Sequence, residues 1–477
     1  MSSHKLGSEV TLMEQRETQR LNRRNFSSHG RRADNVKNIM SKEEFKLQVQ
    51  SNSWLRIGQT AKFKEVVFNN LFYHFNVENL REAYHAQDGS KALGIDQITK
   101  REYGADLDAK LKDLVDRLHK GTYRPQPKRG IDIPKPNGKT RPIAIGSFED
   151  KLVEWVLNKI LSTVYEPLFI KTSYGFRPKR STFDAIKTVF CSLYQKKQNA
   201  VVDLDIASFF DSVSHRKLIK MISKRISDRK ILSIISRFLE AGVIKDGKLT
   251  ISELGTPQGG VISPTLANIY LHYALDVWFL ENFTDSGGVI SRYADDVVFT
   301  FKGKQEAQEF MAKVRERLGF YGLRLNEDKS GIVDFRPRSG NIFHFTGFTF
   351  YWGKDYSSHT TRLRVKTQKE RLYKTINNYC EWLKYNRNKI KLAEIWSQTA
   401  AKLRGHYNYY GVHCNRLKLV HYYQAIIGLL FRWLNRRSQK RSYNWDRFAA
   451  KLRQEPLPQP PPVVALKKLY RGVIYGR

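Results

Sequence analysis

Val289-Ile290-Ser291-Arg292-Tyr293-Ala294-Asp295-Asp296-Val297-Val298-Phe299-Thr300-Phe301 is the stretch on which the reading of this chain turns. Two adjacent carboxylates lie between two apolar, β-prone runs, and strand, two-acid turn, strand is a hairpin pattern. Such a tip concentrates two negative charges, which is costly until a cation neutralises them. Hard oxygen ligands favour Mg²⁺, with Mn²⁺ as an alternative.

The surroundings of that hairpin are strongly basic. The 477 residues include 83 Lys and Arg against 46 Asp and Glu, a formal charge of +37. An excess spread over the whole length points to a polyanion-binding surface, and with a metal-binding tip it points to phosphoryl transfer on nucleic acid. The 41% of hydrophobic residues is enough for a sizeable globular core. No apolar run approaches the ~20 residues needed to span a bilayer, and no signal peptide is visible, so a membrane role is disfavoured. Cys191, Cys380 and Cys414 do not pair closely, which argues for a reducing compartment and against a disulfide scaffold or a CxxC zinc module. The spacing of His406, His413, Cys414 and His421 fits no common zinc pattern.

Residues 1–60 are polar and rich in arginine (Arg20, Arg23, Arg24, Arg31, Arg32) and read as a partly ordered basic arm. Leu107, Leu111, Leu114 and Leu118 recur at helical steps. Residues 131–145 read as a hairpin around Pro136-Asn137-Gly138. Helices are expected over 147–166, 181–193, 214–241, 265–279 and 305–318, and strands over 200–206 and 342–352. After about residue 360 strand signals fade, and 367–385, 392–410 and 418–437 read as helices loaded with Tyr, Trp, Arg and Lys. Pro456 to Pro462 reads as an extended tail.

Three stretches complement the acidic hairpin. In Val201-Val202-Asp203-Leu204-Asp205-Ile206, strand alternation puts Val202, Leu204 and Ile206 on one face and Asp203 and Asp205 on the other. Asp205 ends the strand, where it can meet Asp295 and share two metal ions able to activate a 3′-hydroxyl and stabilise a leaving pyrophosphate. Asp203 and Asp211 are as readily structural as catalytic, Asp211 as a helix cap. Gly255-Thr256-Pro257-Gln258-Gly259-Gly260 permits close backbone approach, to a base pair or phosphate, and Gln258 brings a donor and an acceptor. Lys135, Lys139 and Arg141 flank a Pro/Gly hairpin that can clamp a triphosphate, although alone it reads as a solvated charged turn.

These strings, taken in order, resemble the reverse-transcriptase motifs of bacterial group II intron-encoded proteins. The resemblance runs from Gly94-Ile95-Asp96 and Gly121-Thr122-Tyr123-Arg124-Pro125, through Pro134 to Pro142 and Ser173-Tyr174-Gly175-Phe176-Arg177-Pro178, to Asp205–Asp211 and the Pro-Gln-Gly block. Tyr293 to Asp296, Leu325-Asn326-Glu327-Asp328-Lys329, Phe345-Thr346-Gly347-Phe348 and Leu403-Arg404-Gly405-His406-Tyr407 complete it, covering about residues 75–470.

The resemblance implies an α+β right-hand polymerase. Fingers and palm, an antiparallel sheet plus helices, occupy 61–360; an all-helical thumb or maturase domain occupies 361–455, and a Pro-rich basic tail follows. It implies metal ligation by Asp205, Asp295 and Asp296, with Ile206 beside them. Lys139, Arg141, Phe209, Phe210, Gln258 and Lys329 would bind the nucleotide, Phe210 as the bulky gate against a ribose 2′-hydroxyl. Phe345, Gly347 and Phe348 would support a primer grip. Arg404, His406, Tyr407, Arg436 and Arg437 would meet RNA, since cations mixed with rings suit structured RNA and duplex. The partners implied are structured RNA, chiefly group II intron RNA, an RNA template–DNA primer duplex, dNTPs and a DNA target, in a bacterial cytoplasm near the nucleoid. The family's DNA-binding and endonuclease domain is missing from the match, so second-strand cleavage in cis is not expected. The same polymerase recruited to phage defence or DNA repair is the alternative reading. A non-catalytic maturase is disfavoured by the intact acids.

Overall fold

The computed structural model describes residues 53–134, 140–256, 258–354, 360–436 and 443–461. Arg56–Arg477 is one unit and Met1–Leu55 another. Most of the basic arm, the tip of the 131–145 hairpin with Lys135 and Lys139, and Arg437 lie outside the described residues.

Helices α1 (Val77–Ala86), α2 (Lys100–Gly104) and α3 (Leu107–Lys120) lead into strands β1 (Lys128–Pro134) and β2 (Thr140–Ile145). In α3 the expected leucine stripe is the buried one, with Leu111, Leu114 and Leu118 inside. Helix α4 (Phe148–Tyr165) follows, capped by the Ser147 hydroxyl. Helix α5 (Thr182–Tyr194) starts with a capping box in which Ser181 and Asp184 satisfy each other's backbone N–H groups. Next come β3 (Ala200–Leu204), the short α6 (Phe209–Ser212), α7 (His215–Ser223) and α8 (Arg229–Glu240). The single helix read over 214–241 is thus two. Asp228 divides them: one carboxylate oxygen accepts from the first N–H groups of α8, the other from Leu71 and Phe72.

A small hairpin, β4 (Val243–Lys245) and β5 (Lys248–Thr250), precedes α9 (Ser263–Leu271). One π-helical turn, His272–Asp276, joins α9 to α10 (Val277–Phe283). The hairpin quoted at the outset is β6 (Val289–Tyr293) and β7 (Asp296–Phe301), followed by α11 (Lys304–Phe320), β8 (Gly331–Asp334), β9 (Ile342–Phe345), β10 (Phe348–Lys354) and β11 (Thr361–Thr367). Helices α12 (Lys369–Asn386), α13 (Leu392–Tyr410), α14 (Arg416–Leu434) and α15 (Trp445–Gln454) complete the described chain.

The strands form three sheets, ordered β2-β1-β4-β5, β6-β7-β3-β8 and β11-β10-β9. Strand β3 is central in the second, antiparallel to β7 and β8 and covered on both faces. One face carries Val202 and Phe299 into an aromatic cluster of Phe279, Phe301 and Phe310, with Phe299 and Phe310 rings 4.3 Å apart. The other carries Val201 and Val298 into a core shared with β9–β11 and the C-terminal helices. Strand structure continues past residue 360, contrary to the sequence reading: β11 pairs with β10 from Phe348↔Thr367 to Lys354↔Thr361. The molecule is therefore α+β with an all-helical C-terminal region that starts after β11. Among the described residues no helix is long and apolar enough to cross a membrane.

Candidate active site

The turn between β6 and β7 is two residues long. Tyr293 pairs with Asp296, and Ala294 takes the left-handed conformation (φ +60°) that lets so short a loop close. Asp295 is exposed on the tip and Asp296 is the first residue of β7. The ladder pairs Leu204 with Val297, so one further step sets Asp205 opposite Asp296. Asp203 and Asp205 share a face, as strand alternation predicts, and that face is the one Asp296 and Val298 present.

Asp205 is held from the Leu325-to-Ser330 turn. The Asn326 amide donates to its Oδ2 at 2.9 Å, Lys329 Nζ reaches the same oxygen at 3.3 Å, and its backbone N–H donates to Ser330 Oγ at 3.0 Å. Asp296 is held from the β9–β10 turn, where the Thr346 N–H donates to Oδ2 at 2.8 Å. Burial lifts Asp296 to about 6 against the Thr346 hydrogen bond, and the charges of Asp295 and Asp205 push the same way as burial while Arg371 opposes them. Burial, with Asp296 and Asp205 nearby, lifts Asp203 to about 7. Carboxylates are thus crowded on one corner where their charges oppose ionisation, the setting in which a divalent cation binds well. Among the described residues no group of three or more His, Cys, Asp or Glu closes around one point. Mg²⁺ does not require such a cage, since it is commonly held by one or two carboxylates plus substrate phosphates and water. The donor set therefore fits Mg²⁺ or Mn²⁺, with Asp205, Asp295 and Asp296 as the residues that would hold it. Ile206 has a hydrocarbon side chain, buried here, so only its backbone carbonyl could serve as a ligand.

Behind the tip lies a buried network that the sequence reading missed. Arg292 and Asp276 are both fully buried and paired through Nε–Oδ1 at 2.8 Å and Nη2–Oδ2 at 2.5 Å. The remaining nitrogen of Arg292 donates to the Asn268 side-chain oxygen at 2.8 Å and to the Ala294 carbonyl at 3.0 Å, fixing the turn from inside. Removing either ion would strand a buried charge, at a cost of about 3–5 kcal/mol. The π-helical turn ends on Asp276, and the amide of Asn268 donates onward to the Gly175 carbonyl at 2.8 Å. An arginine alternating with Ile290 on a core-facing strand was the available signal, because such a residue needs a buried acid.

The Pro-Gln-Gly block braces the neighbouring side. Ser208 (φ +44°) turns the chain from β3 into α6, and the Phe210 carbonyl accepts from Thr256 N–H at 2.7 Å. Phe210 is half-buried and Phe209 buried, with their rings 5.3 Å apart. The Gln258 carbonyl accepts from Ala144 N–H at 2.7 Å. The close approach that Gly259 allows is to the chain itself: a Cβ there would stand 2.8 Å from the Ala144 carbonyl oxygen. Asp211 lies exposed on α6. Arg141 pairs with Ile133 in the β1–β2 ladder.

The residues expected to support a primer grip are interior. Phe345 and Phe348 are buried at the two ends of a turn whose residues, Thr346 (φ +49°) and Gly347 (φ +80°), are both left-handed. Tyr409 donates its hydroxyl to the Thr346 carbonyl at 3.1 Å and stacks on Phe348, tying α13 to this turn.

Of the residues expected to meet RNA, Arg404 and Arg436 are exposed, Arg436 lying over the Trp433 ring at 4.8 Å. His406 and Tyr407 are not at the surface. His406 stacks on Tyr422 with ring centroids 3.8 Å apart, and burial lowers it to about 4. Tyr407 is 5% exposed and donates to the Pro458 carbonyl at 3.1 Å. Both serve the helical core, because they extend the inward stripe of α13.

Residues 133–350 match the family model described as reverse transcriptase (RNA-dependent DNA polymerase). Protein YkfC of Escherichia coli (strain K12) is 35% identical over 292 residues, which are 54% of this chain and 76% of YkfC. This chain belongs to the reverse transcriptase family. Group II intron-encoded protein LtrA of Lactococcus lactis subsp. cremoris is 38% identical over 210 residues, 44% of this chain and 33% of LtrA. The chain is thus homologous to the LtrA-like, intron-encoded reverse transcriptases while matching about a third of LtrA's length. Among solved structures, apo telomerase from Candida tropicalis, truncated from the C-terminal domain, superposes with a TM-score of 0.39 at 16% identity, over 50% of this chain and 55% of that one.

Proposed function

We propose that this reverse transcriptase adds dNTPs to a primer 3′-hydroxyl on an RNA template by two-metal catalysis, and that its C-terminal helices hold structured intron RNA so as to assist splicing and retrohoming. In this reading the β6–β7–β3–β8 sheet is the palm and the helices after β11 are the thumb or maturase region. The observation that carries it is the convergence of Asp205 with the Asp295-Asp296 turn, each arm held by its own hydrogen-bonded support.

Bound Mg²⁺ or Mn²⁺ would supply activation of the 3′-hydroxyl and stabilisation of the leaving pyrophosphate. The protein's part is positioning. Asn326, Lys329 and Ser330 orient Asp205, Arg292 fixes the turn that carries Asp295, and Thr346 orients Asp296. Lys329, now on Asp205, would turn to the nucleotide or primer when a cation replaces it. Phe210, its backbone locked to Thr256, would exclude a ribose 2′-hydroxyl, and Gln258, Phe209, Arg141 and Lys139 would complete the nucleotide pocket.

The test is extension of a DNA primer on an RNA template with dNTPs and Mg²⁺. The wild type should extend, and Asp295→Ala should abolish extension while leaving duplex binding nearly intact. Extension by the variant would overturn the metal assignment. For the RNA partner, sequencing of co-purifying RNA should return an intron lariat; its absence would redirect the reading toward a polymerase without an intron role.

A further inference from the structure

We infer that Phe176 is a nucleic-acid contact, an aromatic platform that packs against a nucleotide of the primer–template duplex beside the Asp295 turn. This rests on the polymerase reading above and adds to it a specific ring.

Phe176 is 59% exposed, which is unusual for a phenylalanine in so constrained a place. Its backbone is left-handed (φ +57°), a conformation that disfavours a bulky L-residue and persists only where neighbours impose it. The neighbours do so on both sides. Before it, Tyr174 N–H donates to the Arg292 carbonyl at 2.8 Å and Arg292 N–H to the Thr172 carbonyl at 3.0 Å, so that Ser173 forms a parallel β-bridge with Arg292 on β6. Gly175 then lies so close to the hairpin that a Cβ would collide with the Ala294 backbone nitrogen. Its carbonyl accepts from Asn268, which the Arg292 guanidinium also holds. After it, Arg177 is 7% exposed and fully engaged: Nη1 donates to the Ile170 and Ser173 carbonyls at 2.7 and 2.6 Å, Nε and Nη2 pair with Glu166, and the guanidinium covers the Phe169 ring.

A loop over-determined at Gly175 and Arg177 thus holds an apolar ring out to solvent, one residue from contact with the turn that carries Asp295. Burial cannot be the reason for the ring, and the backbone would be relaxed by glycine. Exposed Lys179 and Arg180 follow it. A ring with cations along one strand of chain is the chemistry that binds nucleotides, the ring against a base or sugar and the cations at phosphates.

Phe176→Gly is the diagnostic substitution, because it relieves the backbone while removing the ring. Melting temperature should rise or hold, while affinity for a fluorescent RNA-template/DNA-primer duplex should fall by on the order of tenfold. Phe176→Trp should bind within about twofold of wild type, stacking being tolerant of ring type. If Phe176→Gly binds the duplex as the wild type does, the inference fails. If affinity falls together with a loss of melting temperature and Phe176→Trp does not retain binding, the ring is structural and the inference likewise fails. Binding is read without turnover, so a wild type that binds but does not extend would count against the polymerase reading while leaving this comparison decisive.

Discussion

Single residues divide the chemistry from its support. Phe210 is half-buried, its backbone is tied through its carbonyl to Thr256, and its ring packs edge-on against Phe209. Phe210→Val should relax discrimination against ribonucleotides, seen as a lower ratio of dNTP to rNTP incorporation efficiency in single-nucleotide extension. An unchanged ratio would remove Phe210 from that role. Discrimination of this kind rests on a clash rather than on a bond, so the substitution should affect the ribonucleotide far more than the deoxyribonucleotide. The acids were legible in the sequence because Asp205, Asp295 and Asp296 sit at strand ends, where alternation and turn chemistry are local. Their supports were not. Arg292, Asn268, Thr346 and Asn326 act through contacts set by the tertiary fold, and only Arg292 carried a local sign, a charge at a core position.

Among the elements, α13 and β11 show how charge can mask a packing pattern. In β11, Leu363, Val365 and Thr367 point inward between Arg362, Arg364 and Lys366, an alternation of period two that reads at first as a basic tract. In α13, the inward stripe Ile395, Thr399, Leu403, His406 and Tyr410 has helical spacing, so His406 belonged to the core by position although its type suggested a ligand or an RNA contact. Buried His406 has its Nε2 unpartnered among the described residues. Its folded value, about 4, lies below the ordinary 6.5, so the folded state holds fewer protons than the unfolded one between these values. Stability from this group is therefore present above pH 6.5 and lost as pH falls toward 4. His406→Phe, which keeps a ring against Tyr422, should flatten the fall in melting temperature between pH 7 and pH 4.5. A slope identical to wild type would mean that His406 accepts its proton without cost.

For the whole molecule, the formal charge of +37 sets the terms on which any polyanion arrives. Exposed cations include Arg404, Arg432 and Arg436 in the C-terminal region and Lys179 and Arg180 close in sequence to Gly175, which packs on the hairpin. If 6–10 phosphates are neutralised, duplex affinity should drop by roughly 10³–10⁵ between 50 and 200 mM salt. Fluorescence anisotropy across that range checks it, and a flat response would show that the basic surface does not engage the backbone. The sequence made this global term plain, since net charge needs no fold to be read. Which cations face one another did need the fold, because helical periodicity orders residues within an element and leaves the pairing of elements open.

The bond from Thr346 to Asp296 spans 50 residues, and that from Tyr409 to Thr346 spans 63. In kinetic terms the acidic corner should assemble late. Contacts of such separation form only after long loops have closed, and a nascent chain emerging N-terminus first makes Asp296 well before its stabilising partners exist. At roughly 5–20 residues per second, on the order of ten seconds separate synthesis of the Asp295-Asp296 turn from synthesis of Tyr409. Until Thr346 is made, the turn has its internal brace but lacks the hydrogen bond that orients Asp296, and until Tyr409 is made the Thr346 turn lacks its own tie. The geometry of the site thus depends on residues made well after its acids.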